Sequence, residues 1–154
     1  MALKLALKGK RTIMIKEKSI FNFLDKVKPI NILLVDDDMV SQFIIAKSLE
    51  KLGDRLDICA SSEEAIKRVE DSNYDLILVD LNLPVVNGFE LSKSLKLASE
   101  YNDSFPKIIG LTGLDHPLLS TLVSYSEVDD YVIRSIDYKN LKSKIVNLCY
   151  LHQN

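Results

Sequence analysis

Five short apolar runs recur along residues 31–154, each followed by a stretch with helical spacing, and this alternation limits the possible folds sharply. The runs are ILLV at 32–35, RLDICA at 55–60, DLILV at 75–79, KIIGL at 107–111 and YVIR at 131–134. Three are nearly continuous in Ile, Leu and Val, as expected of strands covered on both faces. Helical candidates lie between and after them, near 39–52, 62–70, 88–99, 116–125 and 137–152. Gly53 is a fitting stop for the first helix, and in SSEEAIKRV either Ser61 or Ser62 is expected to cap the second, with acids in its first turn. Five strands alternating with five helices predict an α/β fold: a doubly wound, five-stranded parallel sheet with helices on both faces.

The 154 residues fit one such domain, and a hydrophobic share of 47% suffices for its core. No apolar run approaches the roughly 20 residues of a membrane span. The start, MALKLALKGKR, lacks the continuous apolar core and small-residue cleavage site of a secretory signal. Cys59 and Cys149 sit far apart within apolar pattern, so buried reduced thiols and a cytoplasmic protein are expected. Residues 1–30 hold eight Lys or Arg against two acids, a net of +6, whereas 31–154 hold twelve against twenty, a net of −8. The first 30 residues therefore read as a basic leader, and the acidic body argues against direct nucleic-acid binding. Within the leader, SIFNFLDKVKP places Ile20, Phe21, Phe23, Leu24 and Val27 at helical spacing, which predicts a short amphipathic helix near 20–28, before the domain at 31–154.

Ligands of a doubly wound sheet bind outside the carboxyl ends of its strands. The first run ends in Asp36, Asp37 and Asp38, the third in Asp80, the fourth in Thr112 and the fifth in Arg134. Three adjacent carboxylates repel one another, and a helix cap needs only one. If the first and third strands are neighbours, about 4.8 Å apart, their terminal carboxylates meet at one point. Carboxylates without nearby His or Cys suit a hard cation such as Mg²⁺. Thr112 offers a hydroxyl donor and Arg134 a permanent charge suited to phosphate oxygens, so the strand ends form a phosphoryl-handling constellation.

ILLVDDD, DLILVDLNLPVVNGFEL, IIGLTG and DDYVIRSID, in that order over about 31–152, resemble the motifs of the response-regulator receiver domain of two-component signalling. The opening ILLVDDDMVSQFIIAKSLEKLG is particularly similar to receivers of hybrid sensor kinases. The resemblance implies a flavodoxin-like strand order, 2-1-3-4-5. It further implies that Asp80 is the phosphorylated aspartate, that Asp36 and Asp37 are the acid pair holding Mg²⁺, and that Asn82 gives the metal a backbone carbonyl. Thr112 matches the switch hydroxyl, Tyr131 the aromatic that reports phosphorylation, and Pro84 and Gly88 the turn after the phosphorylated strand. Asp38 matches no metal position and is expected to cap the first helix. The implied partners are a sensor histidine kinase or a histidine phosphotransfer protein, with a second copy or another partner on the face of the fourth helix, fifth strand and fifth helix. The implied role is phosphoacceptor signalling rather than enzyme catalysis, beyond self-phosphorylation from small donors and self-dephosphorylation. The pattern ends with the fifth helix, so no output domain is expected.

One motif departs from the family. Where receivers carry Lys-Pro after the fifth strand, with a cis bond before proline, this chain has Arg134-Ser135. Arginine keeps the charge on a bulkier planar fork, and without proline a cis bond costs about 3 kcal/mol, so the loop is expected to take a different, trans path. His116 and His152 read as solvated. In Phe43-Ile44-Ile45 both core packing and docking of the phosphodonor are open. Two rival readings remain: a receiver-like binding module that is never phosphorylated, and a phosphatase of the haloacid-dehalogenase kind. The latter's Asp-x-Asp-x-Val pattern occurs at Asp36 to Val40 and Asp129-Asp130 could mimic its later acid pair, but no Lys or Arg lies between Thr112 and Asp129, and Asp80 is left unexplained.

Overall fold

The computed structural model describes residues 2–7, 11–16, 19, 28–50, 55–134 and 138–150. In chain order the elements are β1 (Ala2–Leu7), β2 (Arg11–Lys16), β3 (Asn31–Val35), α1 (Met39–Leu49), β4 (Arg55–Cys59), α2 (Ser62–Asp71), β5 (Leu76–Asp80), α3 (Gly88–Glu100), β6 (Lys107–Thr112), α4 (Leu119–Ser124), β7 (Asp130–Ile133) and α5 (Tyr138–Ile145), which runs into a π-helical turn, Val146–Tyr150. Strands β3 to β7 form one parallel sheet in the order β4-β3-β5-β6-β7. Counted along the domain this is 2-1-3-4-5, the expected flavodoxin-like arrangement.

The near-continuous apolar strands are explained by two cores. Ile32 and Leu34 of β3, with Leu76 and Leu78 of β5, face Ile45 and Leu49 of α1 and Leu141 and Ile145 of α5. Leu33 and Val35, with Ile77 and Val79, face the other way, onto Ala65 and Val69 of α2, Leu91 and Leu95 of α3, and Leu119 and Val123 of α4. Both faces of the central strands are thus excluded from water, at roughly 1.5–3 kcal/mol for each fully buried aliphatic side chain. Edge strand β4 instead alternates, with Arg55 and Asp57 exposed and Leu56 and Ile58 half-buried.

The helix starts follow their capping residues. Asp38 caps α1, its side chain accepting from Val40 N–H at 3.0 Å, and Ser61 caps α2, accepting from Glu64 N–H at 3.2 Å. Helix α4 begins three residues later than its apolar spacing suggests. His116 Nδ1 accepts from Leu118 N–H, and the 117–118 turn delays the first helical hydrogen bonds. Cys59 and Cys149 are buried and neither is in a disulfide, as expected.

The leader holds an element that its composition did not suggest. β1 and β2 pair antiparallel, Ala2 opposite Lys16 and Leu7 opposite Arg11, and β1 runs beside α5 and the π-helical turn. The predicted amphipathic helix near 20–28, the helix stop at Gly53 and the bond between Arg134 and Ser135 fall on residues outside the described ones. No described helix is long and apolar enough to cross a membrane.

Candidate phosphoacceptor and metal site

The carboxyl ends of β3 and β5, adjacent in the sheet, carry Asp36 and Asp80 into one pocket. Asp36, Asp37 and Asp80 each offer a carboxylate oxygen within 4.8 Å of the others, the one metal-competent cluster among the described residues. Asp36 is wholly buried and Asp80 nearly so, while Asp37 is exposed. Such a cluster persists inside a protein only if its charge is balanced.

Local sequence supplies part of that balance. Asp36 Oδ1 accepts from Asp38 N–H at 2.9 Å, and Oδ2 accepts from Ser41 Oγ at 2.6 Å. Gln42 Nε2 donates to the Asp36 carbonyl at 2.6 Å, so the first turn of α1 grips this residue through both side chain and backbone. Asp80 Oδ1 accepts from Asn82 N–H at 2.8 Å. Burial pushes the Asp80 carboxyl above the ordinary aspartate range, against the opposing pull of Asn82 N–H and Arg134, with Asp36 and Asp37 adding to the rise.

The remaining balance comes from far along the chain. Arg134, just past β7, reaches over the sheet end, and its Nη2 lies 2.9 Å from Asp36 Oδ2 and 2.8 Å from Asp80 Oδ2. Its backbone N–H donates to the Thr112 carbonyl at 2.6 Å, which ties β7 to the end of β6. Thr112 is buried one residue beyond Leu111, the neighbour of Asp80 across the sheet, and its Oγ1 accepts from Leu114 N–H at 3.0 Å. Asn82 is exposed on the turn that follows. Tyr131, half-buried in β7, lies under Lys144 of α5, whose Nζ is 5.5 Å from the ring centroid and 2.6 Å from Asp130 Oδ1.

Two glycines shape the entrance. A Cβ on Gly88 would come within 2.5 Å of Leu81 Cα and 2.7 Å of the Asp80 carbonyl oxygen, so α3 can start against the end of β5 only with glycine there. A Cβ on Gly113 would meet nothing within 4 Å, leaving open space beside Thr112.

The sequence-derived residues thus divide clearly. Asp36, Asp37, Asp80 and Arg134 converge, with Thr112 and Asn82 at the ends of the flanking segments. Asp38 is turned away as the α1 cap. Asp130 begins β7 and Asp129 directly precedes it, at the opposite end of the sheet, where Asp129 pairs with Lys96 and Lys107. A haloacid-dehalogenase reading needs both of those acids near the first aspartate, and the geometry separates them. Ser41 and Gln42 were not singled out from sequence, although polar residues at helical spacing after an acidic strand end are a usable signal for groups that turn back on it.

Comparison with known proteins agrees with this fold. The chain is 31% identical over 114 residues to the CAI-1 autoinducer sensor kinase/phosphatase CqsS of Vibrio cholerae, covering 74% of this chain but 16% of that protein. Response regulator TrrA of Thermotoga maritima, solved in complex with Mg²⁺-BeF, superposes with a TM-score of 0.65 at 32% identity, over 77% of this chain and 97% of that one. The receiver domain of Ssk1 of Saccharomyces cerevisiae, solved with the histidine phosphotransfer protein Ypd1, gives a TM-score of 0.71 at 26% identity, over 80% and 92% of the two chains. Residues 32–146 match the family described as the response regulator receiver domain, and the chain belongs to that family.

Proposed function

We propose that the domain takes a phosphoryl group onto Asp80, from the phosphohistidine of a sensor histidine kinase or a histidine phosphotransfer protein, with Mg²⁺ held by Asp36, Asp37, Asp80 and the Asn82 carbonyl oxygen. The observation that carries this is the meeting of three carboxylates within 4.8 Å at the ends of adjacent strands, facing a single guanidinium. An all-oxygen, acidic donor set suits Mg²⁺, and TrrA binds Mg²⁺ together with a beryllofluoride group. When bound, the ion neutralises charge on the donor phosphoryl oxygens and on the acceptor carboxylate.

The protein's own residues supply the rest. Asp80 Oδ1 is held by Asn82 N–H, leaving Oδ2 as the oxygen that attacks phosphorus as the histidine nitrogen departs. Thr112 and Arg134 stand where they can donate to the transferred oxygens. Thr112 drawn toward the phosphoryl group vacates space into which Tyr131 turns, which repacks the face of α4, β7 and α5, where a partner or a second copy binds. Such a switch is a population shift and requires the phosphoryl group to favour one arrangement.

The donor approaches over α1. Of the Phe43-Ile44-Ile45 run only Ile45 enters the core; Met39, Val40, Phe43 and Ile44 remain exposed beside the acid cluster. Exposed apolar surface on one helix face marks a docking site, and Ssk1 is solved with a phosphotransfer protein. Residues 31–154 then act as the receiver unit and residues 1–30 as a basic leader. Two buried cysteines outside any disulfide fit a cytoplasmic setting.

Mass spectrometry after treatment with acetyl phosphate and Mg²⁺ tests the reading. One phosphoryl group is expected, removable by hydroxylamine as for an acyl phosphate and absent from Asp80→Asn. Labelling retained in that variant would refute the assignment.

A further inference from the structure

A cavity of about 740 Å³ lies at the amino ends of the parallel strands, the end of the sheet away from the acid cluster. Its walls are the segments that enter β3, β4, β5 and β6, closed on one side by the π-helical turn after α5. The volume falls within the roughly 300–1,000 Å³ of small-molecule pockets. Doubly wound sheets bind their usual ligands at the carboxyl ends, so this cavity is separate from the phosphoryl chemistry at Asp80.

Sheet order sorts the lining by chemistry. On one side Lys28 leads into β3 and Arg55 opens the neighbouring β4, where its N–H donates to the Ile30 carbonyl at 3.0 Å. Both residues are exposed, and neither is in an ion pair among the described residues. In the middle, just before β5, Asp75 Oδ2 accepts from Asn31 N–H at 2.8 Å, while Oδ1 has no hydrogen-bond partner among the described residues. On the far side, just before β6, Phe105 is 76% exposed. Its loop is braced: Asn102 Nδ2 donates to the Glu70 carbonyl at 2.6 Å, Ser104 N–H to the Ser99 carbonyl at 3.0 Å, and Lys96 Nζ to the Pro106 carbonyl at 2.8 Å. An exposed ring on a braced loop offers a stacking face at little ordering cost.

Two unpaired cations, a carboxylate oxygen and an aromatic ring thus follow one another from β4 to β6, a span of three strand spacings or about 14 Å. Phosphate, ribose and base follow one another in the same order. We propose that this cavity binds a nucleoside phosphate, with the phosphate between Lys28 and Arg55, a ribose hydroxyl donating to Asp75 Oδ1, and the base stacked on Phe105. Guanidinium and ammonium groups suit phosphate oxygens, the former through paired donors. A carboxylate takes the ribose hydroxyl in dinucleotide-binding sheets by the same chemistry. The other charges fix the orientation. Lys107, beside the ring, already lies 3.6 Å from Asp129 Oδ1, and Asp103 on that side repels a phosphate but tolerates a neutral base.

The test is amide NMR of the full chain, titrated with AMP, ribose 5-phosphate and inorganic phosphate in EDTA, which keeps divalent ions off the acid cluster. AMP should shift Asn31, Arg55, Asp75 and Phe105 and leave Asp36, Asp80 and Thr112 in place. The stacked base should make AMP bind on the order of tenfold tighter than ribose 5-phosphate. Arg55→Gln should weaken both ligands on the order of tenfold, and Phe105→Ala should weaken AMP alone. Lys67→Gln makes the same charge change on the exposed face of α2, outside the cavity, and should alter neither affinity. All three positions are exposed, and matching thermal melts check that the variants fold. The proposal is overturned if AMP does not bind, or binds no better than ribose 5-phosphate or inorganic phosphate. It is also overturned if F105A binds AMP normally, if R55Q and K67Q lose equally, or if the shifts centre on the acid cluster. Phosphorylation of Asp80 is read separately, so neither proposal falls with the other.

Discussion

The two ends of the parallel sheet use aspartate in opposite ways. At the amino ends of the strands, Asp129 faces two cations: Oδ2 accepts from Lys96 Nζ at 3.1 Å and from Ile108 N–H at 2.7 Å, and Oδ1 lies 3.6 Å from Lys107 Nζ. Nearby, Asp75 Oδ2 accepts from Asn31 N–H and Asp57 Oδ2 from Tyr74 Oη, so each acid has a neutral or basic partner of its own. At the carboxyl ends three acids cluster, and two of them, Asp36 and Asp80, share Nη2 of Arg134, while Asp37 is exposed. The first end is built from fixed, partly exposed pairs that tie strands together. The second gathers three carboxylates around one guanidinium, an arrangement that suits a bound cation. These carboxylates at the amino ends are partnered one by one, whereas those at the carboxyl ends crowd together at one point.

The sharpest way to break this contrast lies in the triple-aspartate run. Asp37→Ala should weaken Mg²⁺ binding by about two orders of magnitude, near 3 kcal/mol at about 1.4 kcal/mol per tenfold, as read by calorimetry. Asp38→Ala should leave Mg²⁺ affinity unchanged and remove only the α1 cap, about 1 kcal/mol of stability. Equal losses of affinity at Asp36, Asp37 and Asp38 would erase the distinction between ligand and cap.

A second comparison removes the carboxylate at the other end. Asp129→Ala strips the acceptor from the Ile108 N–H and the partner from two lysines. Urea unfolding should show a loss of about 1–3 kcal/mol, while Mg²⁺ titration should give the wild-type curve. A shifted Mg²⁺ affinity would mean that the two ends are coupled through the sheet.

A third effect lies at high pH. Burial pushes the Cys59 thiol up to about 12, with Glu64 adding to the rise, and pushes the Tyr74 hydroxyl up to about 12, aided by its bond to Asp57. Each group holds its proton longer in the folded chain than in the unfolded one. Their contribution to stability is therefore complete below about pH 9, declines as the unfolded chain releases its protons, and is gone once pH passes about 12. Thermal melts of Cys59→Ala and Tyr74→Phe should flatten that alkaline decline relative to the wild type; parallel curves would place its origin elsewhere.

The strand and helix pattern of residues 31–150 was legible because central parallel strands are buried on both faces and so read as unbroken Ile, Leu and Val runs. The helix cap at Asp38 was equally legible, and that of α2 was narrowed to Ser61 or Ser62, since a cap is a contact within three residues of sequence. The β1–β2 hairpin was not: its strands are six residues each, the first broken by Lys4 and the second flanked by Arg11 and Lys16, so composition spoke for a charged leader. The later start of α4 followed from the turn closed by His116, which apolar spacing does not register.

For the site, sequence by itself named the chemistry and tertiary structure decided who shares it. Asp36, Asp80, Thr112 and Arg134 could each be found as the residue that closes an apolar run, because strand ends are where a doubly wound sheet binds ligands. That one nitrogen of Arg134 lies between Asp36, 98 residues earlier, and Asp80, with Nε buried and without a partner among the described residues, came only from the fold. The physical reason is range: capping and strand burial are local or periodic properties of the chain, whereas the balance of buried charge depends on which strand ends the sheet order makes neighbours.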